Sequence, residues 1–66
     1  MCESLAGNRV EILTITSKNN LDNLSKRKGV VISARVHPGE SVGSWMLKGA
    51  LSFLTDETNE EAELLR

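Results

Sequence analysis

Gly29-Val30-Val31-Ile32-Ser33-Ala34-Arg35-Val36-His37-Pro38-Gly39-Glu40-Ser41 is the stretch on which the fold turns. Its Val-Val-Ile run is continuous rather than alternating. That pattern predicts a strand over 30–36 covered on both faces, as in the parallel strands of α/β domains. Pro38 lacks an N–H and keeps His37 out of the helical region, so the strand stops there. Gly39 offers a turn conformation closed to other residues, and Ser41 is a suitable helix cap. A helix over 41–54 follows, with Val42, Trp45, Met46, Leu47, Ala50, Leu51, Phe53 and Leu54 apolar. Its polar stripe of Ser41, Ser44, Lys48 and Ser52 is narrow, and a helix apolar around most of its circumference belongs in a large core. Gly43 and Gly49 each cost this helix about 1 kcal/mol against alanine, which points to close packing against a neighbour.

Upstream, Arg9-Val10-Glu11-Ile12-Leu13-Thr14-Ile15-Thr16 is rich in β-branched residues and predicts a strand over 9–16, entered through the turn residues Gly7-Asn8. Residues 17–28 form a polar connection in which Leu21 and Leu24 anchor at most a short turn. This is the segment expected to tolerate insertion best. Beyond Thr55 an acidic turn leads to a short helix over 59–65, with Thr58 or Asn59 placed to start it. The class is α/β. Two strands and one broadly apolar helix do not close on themselves and need further layers to cover them. Residues 1–66 therefore read as part of a larger α/β domain, or as a small protein that depends on self-association.

Composition narrows the function classes. The 66 residues carry 8 basic and 9 acidic side chains, so bulk positive charge does not draw this chain to nucleic acid. One Trp, one Phe and no Tyr provide no stacking ladder for bases. No apolar run approaches the roughly 18 residues of a membrane span. Cys2 alone excludes an intrachain disulfide, and Cys2 with His37 falls short of an all-Cys/His structural zinc site. The default setting is cytosolic or nuclear.

Chemistry concentrates at His37-Pro38-Gly39-Glu40. In open α/β sheets, ligands bind beyond the carboxyl ends of strands, where the chain leaves the sheet. An imidazole and a carboxylate across a tight turn there can converge on one cation. Zinc accepts such N and O ligands at about 2.0–2.2 Å, and a catalytic site takes three protein ligands with an open position. The bland alternative is an exposed histidine and a glutamate that complements the helix dipole. Arg35 shares strand parity with His37 and is a candidate for binding an acidic substrate, or a structural ion pair at the strand end. Trp45 reads as core, Cys2 as an unreactive terminal residue, and Lys26-Arg27-Lys28 as a solubilising loop tip that could also touch an acidic tail.

Ala34-Arg35-Val36-His37-Pro38-Gly39-Glu40-Ser41, with Ser44-Trp45-Met46-Leu47-Lys48-Gly49, resembles the zinc-ligand segment of the cytosolic carboxypeptidases, a subfamily of the zinc metallocarboxypeptidases. Cys2, Leu5-Ala6-Gly7-Asn8, Leu13-Thr14-Ile15-Thr16, Phe53-Leu54 and Glu63-Leu64-Leu65-Arg66 resemble it too, leaving out only 17–28. The resemblance implies a partial catalytic domain over 1–66, from a mixed sheet flanked by helices. It implies Zn2+ as cofactor, with His37 and Glu40 as the first two ligands. The third ligand, a histidine, lies downstream in the family, as do the general-base glutamate and the arginine for the substrate carboxylate. No residue here fills those catalytic roles, and Glu57, Glu60, Glu61 and Glu63 do not match the glutamate motif. The implied activity is removal of C-terminal glutamates from acidic protein tails such as those of tubulin. The implied location is cytoplasmic, with nuclear or cytoskeleton-associated variants. A non-catalytic binding or regulatory protein keeping part of the fold is the rival reading.

Overall fold

A computed structural model describes all of residues 1–66. A short hairpin opens the chain. Strand β1 (Cys2–Glu3) pairs antiparallel with β2 (Arg9–Val10), with Cys2 opposite Val10 and Glu3 opposite Arg9. The Gly7 N–H donates to the Ser4 carbonyl at 2.9 Å, and the Ser4 N–H to the Asn8 carbonyl at 2.8 Å. Gly7 itself has φ 80°. A three-residue loop closed by a left-handed glycine is a standard hairpin solution, so Gly7-Asn8 acts as the sequence indicates.

The two expected strands are largely not realised. Only Arg9–Val10 of the 9–16 segment enters a ladder, and no residue of 30–36 does. β-branched composition makes a segment fit a pleated surface, but a strand also needs a neighbour to exchange hydrogen bonds. Among these 66 residues, 30–36 has no such neighbour. The molecule is nevertheless of mixed α and β content, with a two-stranded antiparallel sheet and helices.

The helices follow the sequence more closely. Helix α1 spans Ser41–Leu54, the bounds its apolar spacing gives. Helix α2 spans Glu60–Leu65, and the Asn59 side chain caps it by accepting from the Ala62 N–H at 2.9 Å. The connection expected to be irregular instead holds a 3₁₀ helix, Leu21–Lys26, kinked at Asn23.

Little is buried. Ala62 is the single buried residue. The accessible surface is 6243 Å², against about 4,100 Å² for a folded monomer of this mass. The radius of gyration is 14.4 Å, against about 11 Å for a compact domain of this length. Trp45, read as core, is 69% exposed, because no element among the 66 residues covers that face of α1. Its ring meets the Lys48 ammonium instead, 5.3 Å from the centroid, a weak cation–π contact at an exposed site.

Candidate metal centre

The His37–Glu40 turn is built before the helix begins. The Glu40 N–H donates to the His37 carbonyl at 3.1 Å, closing a four-residue turn with Pro38 and Gly39 at its centre. Pro38 presets φ at the first central position. Gly39 does not use a positive φ, and a Cβ there would meet nothing within 4 Å, so the freedom expected of this glycine is not drawn on.

Glu40 occupies the N-cap position of α1, yet its side chain makes no cap hydrogen bond. Ser41, expected to cap, falls one position late as the first helical residue. The helix thus forgoes about 1 kcal/mol of capping. Its carboxylate turns back instead. The His37 N–H donates to Glu40 Oε2 at 3.3 Å, and His37 Nδ1 lies 2.8 Å from Glu40 Oε1. Both side chains are exposed, 74% and 56%. With the carboxylate ionised, Nδ1 carries the proton of this pair.

The donor set suits a borderline cation. One imidazole nitrogen and one carboxylate oxygen already face each other, and tetrahedral zinc holds such donors about 3.3 Å apart. An opening of roughly half an ångström converts the hydrogen-bonded pair into a chelating one, with the Nδ1 proton displaced. No cysteine or further carboxylate joins them as a third donor, and His37 is the chain's one histidine.

Arg35 stands beside this turn in an unusual conformation. Its φ is 55°, in the left-handed region, which costs a non-glycine residue on the order of 1 kcal/mol. Its guanidinium forms no ion pair with a carboxylate of this chain. Nε and Nη2 both donate to the Pro38 carbonyl, at 3.1 and 3.0 Å. Gly43, in the first turn of α1, lies against the Arg35 backbone: a Cβ at Gly43 would come within 3.0 Å of Arg35 N. The close packing read from Gly43 is therefore present, whereas Gly49 has nothing within 4 Å.

A second polar cluster escaped the sequence reading. Arg27, taken for a solubilising residue, donates from Nη1 to Thr16 Oγ1 at 2.6 Å, to the Ser17 carbonyl at 2.8 Å and to the Arg66 carbonyl at 3.3 Å. Its Nη2 also donates to the Asn19 carbonyl. The Ser17 hydroxyl donates to Glu63 Oε1 at 2.6 Å, and the Arg66 guanidinium meets Glu63 Oε2 at 2.6 Å. Nothing in the Lys-Arg-Lys run distinguishes Arg27 from its neighbours; only the way the chain folds back on it from 16–23 and from Arg66 does. The Ser17 hydrogen bond holds the Glu63 carboxyl below the usual glutamate range, helped by Arg66 and Asn19. A depressed carboxyl contributes stability that is present above its unfolded value and lost as pH falls through the folded one. Acidification below the ordinary glutamate range is therefore expected to release Ser17 and Asn19 from Glu63. The Ser17 backbone and Asn19 side-chain amide NMR signals should report it, and signals unmoved into strong acid would contradict it.

The family model described as zinc carboxypeptidase matches residues 1–66, the whole chain. The chain belongs to the zinc carboxypeptidase family. Within it, the chain is 52% identical over 67 residues to "Cytosolic carboxypeptidase 2" of Xenopus tropicalis, covering 100% of this chain and 7% of that protein. It is 51% identical to "Cytosolic carboxypeptidase 2" of Homo sapiens, with the same coverage of 100% and 7%. To "Cytosolic carboxypeptidase 3" of Mus musculus it is 46% identical over 66 residues, covering 100% of this chain and 6% of that protein. The chain thus spans less than a tenth of these relatives' length. No solved structure matches it significantly.

Proposed function

We propose that His37, through Nδ1, and Glu40 are two of the zinc ligands of a metallocarboxypeptidase active site, to which the 66-residue chain contributes one segment. The observation that carries this is the 2.8 Å approach of His37 Nδ1 to Glu40 Oε1 across a turn closed in front of a helix. Zinc in such a site supplies Lewis-acid polarisation of a carbonyl and activation of water. The chain's own part is to bind and orient. His37 gives up its Nδ1 proton to become a ligand, and Glu40, free of capping duty, swings by a fraction of an ångström. The whole protein, on this reading, hydrolyses C-terminal peptide bonds, and the substrate class is glutamates on acidic protein tails such as those of tubulin. A cytoplasmic location accords with the relatives being cytosolic carboxypeptidases by name.

Calorimetric titration of the chain with Zn2+ tests the ligand assignment. His37→Ala is expected to weaken uptake at least tenfold, and unchanged affinity overturns the assignment. The isolated chain with added zinc is expected to release no glutamate from a polyglutamylated peptide. Turnover that His37→Ala abolishes would show that two donors suffice.

A further inference from the structure

Arg35 is usually the kind of residue one would assign to an acidic substrate. The geometry points elsewhere: we propose that Arg35 is a positioning residue, locking the Pro38–Gly39 turn so that His37 Nδ1 and Glu40 Oε1 face each other. The inference builds on the ligand assignment above, but its physical content concerns the turn alone.

Three observations converge. The Arg35 fork places two N–H groups on one acceptor, the Pro38 carbonyl, at 3.1 and 3.0 Å. A planar guanidinium that donates twice to one oxygen fixes direction as well as distance. The Arg35 backbone sits at φ 55°, so the side chain reaches forward over the turn only by way of a disfavoured conformation. Gly43 is the third element. A Cβ at that position would come within 3.0 Å of Arg35 N and 3.6 Å of its Cα. The glycine therefore admits the Arg35 backbone against the first turn of α1, and the same residue's N–H donates to the Glu40 carbonyl at 3.0 Å. Arg35, Pro38, Glu40 and Gly43 form one closed local assembly around the pair. Every contact lies within residues 35–43, so the assembly does not depend on a packed core.

The test reads the imidazole directly and needs no metal. With the turn locked, the ionised Glu40 carboxylate holds the proton on His37 Nδ1, whereas water favours the other tautomer, protonated at Nε2. Ring nitrogen NMR shifts of the neutral imidazole in the full 66-residue chain distinguish the two. The wild type is expected to show mainly the Nδ1–H form. Arg35→Gln and Gly43→Ala are expected to return the ring to the mixture seen in water, Arg35→Gln with the far-ultraviolet helical signal unchanged and Gly43→Ala with a gain in it. Arg35→Lys, which keeps the charge on a single donor nitrogen but not the fork, is expected to fall between. Zn2+ uptake by Arg35→Gln should weaken five- to tenfold. A wild type already at the mixture seen in water, or a tautomer ratio indifferent to Arg35→Gln, overturns the proposal. An Arg35→Gln chain that loses only its hold on a polyglutamate peptide, with tautomer and zinc uptake intact, does the same and returns Arg35 to substrate binding. A tautomer that responds to Arg35 while His37→Ala leaves zinc uptake untouched supports the positioning role and removes the ligand assignment instead.

Discussion

Heated at low concentration, the 66-residue chain is expected to lose its helical circular-dichroism signal gradually, without a sigmoidal transition. Cooperative unfolding needs a core whose parts stabilise one another, and Ala62 is the only buried residue here. Ordering a residue's backbone costs about 1–2 kcal/mol, which burial must offset. Val31 is 97% exposed and Val30 80%, so the most apolar run of the sequence offsets almost nothing. A 14-residue helix alone in water is marginal for the same reason. The exposed faces of α1 and of 30–32 should also bind a hydrophobic dye and drive association as concentration rises. A sharp transition, independent of concentration, in a chain shown to be monomeric by sedimentation would contradict this account.

Arg27→Ala should have the largest effect of any single side-chain removal outside the ligand turn. The Arg27 guanidinium gathers oxygen atoms of Thr16, Ser17, Asn19, Asn20, Asn23 and Arg66 around one charge. It is half-buried, so its bonds are partly shielded from water. Hydrogen bonds from a charged donor contribute about 1.5–3 kcal/mol net, so losing the group should cost about 2 kcal/mol of local stability. That corresponds to roughly a thirtyfold rise in opening of the contact between the 16–20 segment and α2. Amide exchange at Ser17, whose N–H donates to the Arg66 carbonyl at 2.9 Å, reports that opening. Arg27→Lys should recover little of it, since a single ammonium cannot span acceptors spread around a planar fork. Unchanged Ser17 protection in Arg27→Ala would show that the segment is held by Thr16 and Ser17 without the arginine.

The contrast between what the sequence announces and what it hides follows the range of the interactions. Helix α1 is legible to its ends because its causes are local: apolar spacing inside and the turn at Pro38 before it. The start of α2 at Thr58-Asn59 is legible for the same reason, and of the two Asn59 takes the cap. The convergence of His37 and Glu40 is legible in part: the spacing across a proline turn allows it, while the resemblance of the segment singles it out. The strands are not, because Val30-Val31-Ile32 states a preference for pairing but not with whom, and no partner lies within these residues. The Arg27 cluster is hidden for a related reason. Its acceptors are mostly backbone carbonyls, which every sequence offers everywhere. Arg35 is half legible: its neighbourhood with His37 shows in the sequence, while its left-handed backbone and its hold on Pro38 appear only in three dimensions.

The far end of α1 bears on its near end. The Leu54 carbonyl accepts from Arg66 Nη1 at 2.6 Å, and at the other end Gly43 rests on Arg35. Fourteen residues at 1.5 Å each make a helix about 21 Å long, touched at both tips. Each tip takes its place from one local contact, Arg35 through Gly43 at the foot that carries Glu40 and Arg66 at the far end. Fraying from the Leu54 end therefore leaves the foot, and Glu40 with it, in place.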